Sequence, residues 1–278
     1  IRSQRNHLMR LGLSFVGAAP NEFTRAQMIG DATMAENLGF ESLWFFDALG
    51  RGPMHPDPLI ALSVAAGVTQ NIEVGTCIMQ LPLRRAAELA QRVLTAQLVC
   101  DGRFSFGVGA GSTKTDFDLM GLDFKSRMQA TQDCLDTMRA LWKGEAINGV
   151  SLSPPEDALG GPPILIGSWS GARWIEQAAT QFDGWIASGA RSSVKALSDG
   201  IAAFREHGGS RAIVTNIRCD MTIQGEPLDD DTPFNLNCAP AEAKERLEWI
   251  ARLGYDDAVL MVPNRDEAQL RALRALID

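Results

Sequence analysis

The fold of this chain is decided by residues 73–111, which read EVGTCIMQLPLRRAAELAQRVLTAQLVCDGRFSFGVGAG. Positions 73–79 form a short apolar run with β-branched residues that predicts a strand, and 86–99 has the apolar spacing of an amphipathic helix. A second strand-like run follows at 104–108. A strand, a helix and another strand joined by short turns are typical of a βα unit in a parallel sheet.

The same alternation extends to both sides of this stretch. Strands are predicted at 11–16, 42–46, 73–79, 104–108, 164–167, 184–188, 213–221 and 258–262. A helix is predicted after each of them, at 24–38, 58–68, 86–99, 127–142, 172–180, 194–207, 241–253 and 266–277. Asp57 and Pro58 mark one helix start, and Gly39 marks one helix end. Eight regular units indicate an α/β protein built as a single (β/α)8 TIM barrel, with an open Rossmann-like sheet as the alternative.

We expect one TIM-barrel domain over residues 9–278, because barrels of about 250 residues form a single domain. Residues 1–8 are polar and irregular, which indicates a disordered leader or the remnant of a tag. Two segments are too long for simple turns: 144–163, an insertion before the fifth strand, and 224–240, an insertion after the seventh. The second insertion lies on the catalytic face of a barrel, where a lid would be placed.

The composition limits the classes of function. The chain has a net charge of −8 and no long Lys/Arg run, which argues against a nucleic-acid or acidic-membrane partner. The five cysteines contain no CxxC pair and indicate reduced thiols, and no apolar run reaches the roughly 18 residues of a membrane span. We therefore expect a cytoplasmic protein, and the lack of clustered ligand residues predicts no metal site.

Two loops of small residues follow the fourth and fifth predicted strands. The first contains Gly109, Gly111, Ser112 and Lys114, and the second contains Ser168, Trp169, Ser170 and Gly171. Backbone amides, hydroxyls and a helix N-terminus can bind a phosphate, although a tight turn or ordinary N-capping would explain each loop by itself. Because both loops lie on the same face of the barrel, they predict a phosphorylated cofactor.

Two residues near the end of the second strand can transfer protons. Asp47 ends that strand and His55 lies in the following loop, so either is a candidate catalytic residue. The alternative is that Asp47 pairs with an arginine and His55 lies on the surface. Aromatic residues and methionines near the first three strands line a flat apolar pocket or pack the core, namely Phe15, Trp44, Phe45, Phe46, Met54 and Met79.

Several blocks of sequence share a recognisable pattern. They are GFESLW at 39–44, GTCIMQLP at 75–82, DGRFSFGVGAG at 101–111, RALWKGE at 139–145, PPILIG at 162–167 and DGW at 183–185. Together they resemble the bacterial luciferase-like family of flavin- and deazaflavin-dependent oxidoreductases. The resemblance implies a (β/α)8 barrel that binds its cofactor at the carboxyl ends of the strands, which agrees with the count of units above.

The resemblance also implies roles for particular residues. Those that would hold the cofactor phosphate are Gly111, Ser112, Arg127, Ser168, Ser170 and Gly171. Ala110 stands where many relatives have an arginine, so Lys114 or Arg127 would supply the positive charge. Cys77 and Ile78 match the dipeptide that often forms a non-proline cis peptide behind the flavin ring.

One departure from the family pattern concerns proton transfer. Many relatives carry a histidine directly after the aspartate that ends the second strand, whereas this chain has Ala48. Either Asp47 or His55 would then substitute, or the protein would mainly shield the reduced flavin from water.

The resemblance implies first a monooxygenase that uses reduced FMN and O2 on a small organic substrate. An oxidoreductase that transfers hydride with the deazaflavin F420 is the second hypothesis, and a non-catalytic flavin-binding barrel is the third. The family further implies a homodimer or larger homo-oligomer and, for the first hypothesis, a separate flavin reductase.

Overall fold

The computed structural model describes residues 9–16, 23–52, 54–168, 172–263 and 265–277. The predicted leader at 1–8 lies outside the described residues. The strands are β1 (Arg10–Phe15), β2 (Ser42–Phe45), β3 (Glu73–Thr76), β4 (Met79–Gln80), β5 (Phe104–Gly109), β6 (Ile164–Gly167), β7 (Gly184–Ser188), β8 (Ala212–Cys219), β9 (Asn235–Leu236) and β10 (Asp257–Val262).

The helices alternate with these strands. They are α1 (Arg25–Asn37), α2 (Pro58–Val68), α3 (Ala86–Cys100), α4 (Lys114–Met120), α5 (Arg127–Trp142), α6 (Ala172–Gln181), α7 (Val194–Glu206), α8 (Pro240–Leu253) and α9 (Glu267–Arg274). The expected caps are present: the Asp57 carboxylate accepts from the backbone amides that open α2, and Gly39 follows α1 with a φ of 81°. No helix in the described ranges is long and apolar enough to cross a membrane.

The strands form a closed barrel. Within the described residues, eight parallel strands follow one another in the order β1, β2, β3, β5, β6, β7, β8 and β10, and β10 returns to pair with β1. The short β4 pairs with β5, and β9 pairs with the end of β8. The (β/α)8 prediction is therefore confirmed, and the β1–β10 pairing excludes the open sheet.

Two local features differ from the prediction. The strand predicted at 73–79 is interrupted by a cis peptide between Cys77 and Ile78, which separates β3 from β4. The short helix α4 was missed, because its seven residues span too few turns to show an apolar period. Both features lie at the carboxyl ends of the strands.

The insertion at 144–163 packs on the side of the barrel. Its short 3-10 turn, Glu156–Ala158, brings Ala158 into the core, and the Gln97 side chain of α3 donates to the Asp157 carbonyl at 3.4 Å. This agrees with its expected place before the fifth barrel strand.

The insertion at 224–240 packs on α8. Arg246 donates to the backbone carbonyls of Glu226 and Asn235, at 2.6 and 3.0 Å, and the Phe234 ring stacks on Trp249. These contacts place the segment beside the carboxyl end of β8. Its role as a lid stays a prediction.

The interior of the barrel is filled by a layer of apolar side chains. They are Trp44, Cys77, Leu165, Ile186, Ile213 and Val259. A second and larger apolar cluster lies between the strands and the surrounding helices. The layer separates the two mouths of the barrel, so a ligand cannot pass through the barrel from one mouth to the other.

The amino-terminal mouth is closed by ion pairs. Arg211 binds the carboxylates of Glu73 and Asp257, with Nη1–Oε1 at 2.8 Å and Nε–Oδ2 at 2.9 Å, and Arg10 contacts the same two carboxylates. The Ser105 hydroxyl donates a hydrogen bond to the Glu73 carboxylate. Because this mouth is filled, a functional cavity must lie at the opposite end.

Candidate active site

A cavity of about 320 Å³ opens at the carboxyl ends of β3 and β5–β8. Its lining residues are Cys77, Ile78, Val108, Gly109, Ala110, Gly111, Ser112, Arg127, Met128, Thr131, Ile166, Gly167, Ser168, Trp174, Ile186, Ala187, Ser188, Thr215 and Asn216. Apolar side chains form much of the wall, and polar groups stand at separate points around it. This is the usual composition of a small-molecule site.

The Cys77–Ile78 dipeptide forms one wall of the cavity. The cis peptide predicted there from the resemblance is present. The Ile78 side chain packs closely on the ends of β5 and β6, since a Cβ on Gly109 or Gly167 would lie 3.1 or 2.5 Å from it. Burial raises the pKa of the Cys77 thiol to about 12, so the thiol stays protonated and unreactive at neutral pH.

The loop that follows β5 lies at the edge of the cavity. Gly111 has a φ of 73°, which a residue with a side chain rarely adopts, and an added Cβ would lie 2.4 Å from Gln80 Oε1. Glycine therefore lets the loop lie directly on β4, and its neighbour Ser112 also lines the cavity. These positions agree with the loop predicted to hold a phosphate.

Arg127 begins α5 at the same edge of the cavity. Its Nη1 donates to the Phe124 carbonyl at 2.9 Å, and its guanidinium lies 3.9 Å above the Phe124 ring. Among the residues that the structure describes, no carboxylate forms an ion pair with Arg127. A positive charge that is held in place and not neutralised is available to an anion in the cavity.

Lys114, the other candidate for that charge, does not reach the cavity. Its ammonium pairs with Asp118 on the exposed face of α4, and 69% of its side chain is accessible to solvent. The pairing follows from the helix, because residues four apart lie on one face. Arg127 is therefore the cation that the structure brings to the site.

Ser168 follows β6, the strand next to β5 in the barrel, and also lines the cavity. Its Oγ is buried and has no hydrogen-bond partner within the described part of the chain. A buried hydroxyl without a partner is costly, so a ligand that supplies one would be favoured. Trp169, Ser170 and Gly171, predicted to bind the cofactor alongside it, lie outside the described residues.

The sequence reasoning missed the polar residues after β7 and β8. Ser188 ends β7, and Thr215 and Asn216 lie in the middle of β8, all three on the cavity wall. For Ser188, the position at the carboxyl end of a predicted strand was the signal that could have found it, whereas Thr215 and Asn216 lie in the first half of the strand predicted at 213–221. Asn216 also depends on an irregularity in β8 that no local pattern shows.

Asp47 lies outside this cavity, in a buried ion pair. Its Oδ1 accepts a hydrogen bond from Arg84 Nη2 at 3.0 Å, and its Oδ2 accepts one from the backbone N–H of Gln80 at 3.0 Å. Burial raises the pKa of Asp47, and the charge of Arg84 opposes that rise. The side-chain amide of Gln80 in turn donates to the Asp116 carboxylate. Asp47 therefore belongs to a hydrogen-bond network that joins the loop after β2, β4 and α4.

We expect Asp47→Asn to lower the free energy of unfolding by about 2–3 kcal/mol, because Arg84 would lose its charged partner in a buried position. Thermal unfolding measures this change, and Asp118→Asn on exposed α4 serves as the control, with a change within about 0.5 kcal/mol. Unchanged stability in Asp47→Asn together with lost turnover would contradict this structural role.

His55 and Phe15 share a second, smaller cavity of about 40 Å³ between β1, β2 and α2. The His55 ring packs edge-on against Phe23 and Phe46, and burial and then the charge of Arg51 lower its pKa. His55 is therefore neutral at pH 7. The structure does not bring it or Phe15 to the lining of the large cavity.

The remaining aromatic and methionine candidates divide between three environments. Trp44 and Met79 are buried in the core, Phe45 and Phe46 line the second cavity, and Met54 is 69% exposed. Core packing thus accounts for part of this set, and no single flat pocket unites it. No group of three or more His, Cys, Asp or Glu residues that could hold a metal occurs in the described ranges.

The family model described as luciferase-like monooxygenase matches residues 9–219. The chain belongs to this family. The match runs from β1 to the end of β8 and so includes every residue that lines the large cavity.

Among curated luciferase-like relatives, 4-hydroxyprotoasukamycin monooxygenase of Streptomyces nodosus subsp. asukaensis is 30% identical over 116 residues, 41% of this chain and 31% of the relative. F420-dependent glucose-6-phosphate dehydrogenase of Amycolatopsis mediterranei is 26% identical over 139 residues, 47% of this chain and 42% of the relative. The matches thus span less than half the length of these relatives.

A solved structure supports the fold over nearly the whole chain. The oxygenating constituent of 3,6-diketocamphane monooxygenase from Pseudomonas putida, in complex with FMN, superposes with a TM-score of 0.74 at 17% identity and covers 97% of each chain. Together these comparisons show the family and the fold of the chain, and the proteins compared include one named for F420 and one solved with FMN.

Proposed function

We propose that this chain is a monooxygenase that binds reduced FMN in the large cavity and uses O2 to oxidise a small organic substrate. The observation that carries the proposal is that Arg127, which forms no ion pair with the described residues, and the Ser168 hydroxyl, which has no hydrogen-bond partner among them, line one cavity of a luciferase-like barrel. A phosphate monoester suits both groups, because it offers negative charge and several acceptor oxygens.

The residues of the cavity fit a flavin phosphate at one edge. Arg127 would supply positive charge, and Ser112 and Ser168 would supply hydroxyls. Gly111 has no Cβ, which lets this loop lie directly on β4. Reduced flavin, when bound, would supply the electrons for the reaction with oxygen. The chain's own contribution is to bind, orient and shield it.

Shielding is the role of the apolar wall. Ile78, Val108, Ile166 and Ile186 line the cavity and are contributed by four neighbouring parts of the barrel. Side chains of this kind exclude water from a reactive centre. Ala48, which is buried, stands where many relatives of both the luciferase type and the deazaflavin type have a histidine, so neither reaction would have a histidine at this position.

Direct binding tests the proposal. The purified chain would be titrated with FMN and with F420, each oxidised and reduced, and followed by fluorescence or heat. Preference for reduced FMN, followed by substrate-dependent oxygen uptake, would support the monooxygenase. Preference for F420 would assign hydride transfer, and binding of neither would leave a barrel without a cofactor.

We expect Arg127→Ala to weaken FMN binding by about 10- to 150-fold, because a charge-assisted hydrogen bond to phosphate is lost. Lys114→Ala is the matched control, since that cation pairs with Asp118 and does not reach the cavity. The affinity of Lys114→Ala for FMN should equal that of the unaltered chain. Equal losses in both variants would show a general charge effect, and no loss in Arg127→Ala would remove Arg127 from the site.

The proposal includes a supply of reduced FMN by a separate reductase and a homo-oligomeric assembly in the cytoplasm. The two parts are tested by coupling the chain to a flavin reductase and by light scattering. A monomer at micromolar concentration would contradict the assembly but leave the cofactor assignment unaffected.

A further inference from the structure

Strand β8 contains a bulge on the wall of the large cavity. Ala258 of β10 lies opposite Val214, whereas Leu260 lies opposite Ile217, so β8 has one residue more than β10 over this interval. Asn216 lies in the bulge with a φ of 54°. Bulges re-aim side chains next to binding sites, and asparagine is one of the few residues that tolerates this backbone conformation.

The hydrogen bonds around Asn216 determine which way its amide faces. The Thr215 hydroxyl donates its only hydrogen to the Ala187 carbonyl at 3.1 Å, so its oxygen can only accept from Asn216 at 3.4 Å. The Asn216 atom beside it is therefore Nδ2. The same Nδ2 donates to Ser188 Oγ at 3.3 Å.

This arrangement leaves one donor and one acceptor side by side. Ser188 Oγ accepts from Asn216 and donates its own hydrogen to none of the described residues. Asn216 Oδ1 accepts no hydrogen bond from them either. Both residues line the cavity, and Ser188 is 5% exposed. An O–H donor next to a carbonyl acceptor is complementary to a cyclic imide, which presents an N–H next to a C=O.

The pair stands away from the charged edge of the cavity. Arg127 follows β5, whereas Ser188 ends β7 and Asn216 lies in the middle of β8. Strands β5 and β8 are three strand spacings apart. At about 4.8 Å for each spacing, the two edges are separated by roughly 14 Å around the barrel. One edge suits an anion, and the other suits a neutral polar group.

We propose that Ser188 and Asn216 recognise the imide edge of the cofactor's pyrimidinedione ring, with Asn216 Oδ1 accepting from the ring N–H and the Ser188 hydroxyl donating to an adjacent carbonyl. This inference rests on the proposed cofactor function. It adds that the chain holds the ring by its neutral end as well as by its phosphate. The bulge in β8 places Asn216 on the cavity wall and so provides the contact at the neutral end of the ring.

The test compares FMN with 3-methyl-FMN, in which a methyl group replaces the ring N–H. The unaltered chain should bind FMN at least about 10-fold more tightly, because the methyl group leaves Asn216 Oδ1 unpaired. Asn216→Gly keeps the left-handed backbone accessible and removes the side chain. It should weaken FMN binding about 5-fold and bring the two affinities within about 2-fold of each other.

Arg127→Ala is the matched control, since it should weaken both ligands by the same factor and leave their ratio unchanged. Equal binding of FMN and 3-methyl-FMN by the unaltered chain would overturn the imide contact while leaving the cofactor function in place. Binding of neither FMN nor F420 would overturn both proposals. If F420 is preferred, 5-deazariboflavin 5′-phosphate and its 3-methyl derivative replace the two ligands, with the same expected ratio.

Discussion

Replacing Arg211 with methionine should lower the free energy of unfolding by about 3–5 kcal/mol. Arg211 binds Glu73 and Asp257 at the amino-terminal mouth, and the Asp257 side chain is fully buried. Methionine matches the length of the arginine stem, but among the described residues it leaves the two carboxylates with Arg10 as their remaining cationic partner. Chemical denaturation followed by circular dichroism measures the loss.

The loss should also depend on pH. Burial by itself would raise the pKa of Glu73, but the hydrogen bonds and charge of Arg211 outweigh burial and hold that pKa below 4.5. Glu73 thus contributes stability above pH 4.5 that is lost as the pH falls through its lowered pKa. The difference in the free energy of unfolding between the unaltered chain and Arg211→Met should therefore become smaller below pH 4.5, because the carboxylates that Arg211 neutralises become protonated.

Lys195→Met is the control for the Arg211 prediction. Lys195 pairs with Asp199 on the exposed face of α7, where an ion pair contributes about 0.3–0.5 kcal/mol. A loss of less than about 1 kcal/mol in Arg211→Met would show that solvent or Arg10 compensates for the missing guanidinium. That outcome would contradict the structural role given to the mouth.

Gly107→Ala should destabilise the chain by about 3 kcal/mol or more. An added Cβ would lie 1.9 Å from the Thr76 carbonyl oxygen and 2.5 Å from Ile186 Cδ1, far inside van der Waals contact. The Thr76 backbone cannot yield easily, because it is paired with its neighbours just before the Cys77–Ile78 bend. The displaced wall should also weaken cofactor binding, and calorimetry measures both effects.

Gly67→Ala provides the opposite case. Gly67 lies in α2, and nothing stands within 4 Å of its added Cβ, so alanine should stabilise the chain by about 0.5–1 kcal/mol through its higher helix propensity. Opposite signs for the same substitution would separate a steric requirement from a conformational one. A loss of less than about 1 kcal/mol in Gly107→Ala would mean that β3 and β5 can move apart.

The candidate site was predictable where neighbours in sequence are also neighbours in space. The loop at Gly109 to Ser112 directly follows a strand, and Arg127 opens the helix that leads back toward the next strand, so one βα unit brings them to the cavity. Lys114 belongs to the same unit and was predicted to bind there. Its pairing with Asp118 on α4 follows from a helix too short to recognise in the sequence.

Other residues depended on distant parts of the chain. Asp47 forms its ion pair with Arg84, thirty-seven positions away, and His55 packs against Phe23, which precedes it by a whole βα unit. Which residue meets a side chain across the barrel depends on the stagger of the strands. No local period of the sequence carries that stagger.

The sequence by itself determined the eight βα units and their order, because apolar spacing, glycines and helix caps act over a few residues along the chain. It therefore determined the barrel and the face on which a ligand would bind. Only the tertiary structure decided that Asp47 is held by Arg84 and that Asn216 stands in a bulge beside Ser188. These relations arise from strand register and ring closure, since both are set by packing between segments that lie far apart in sequence.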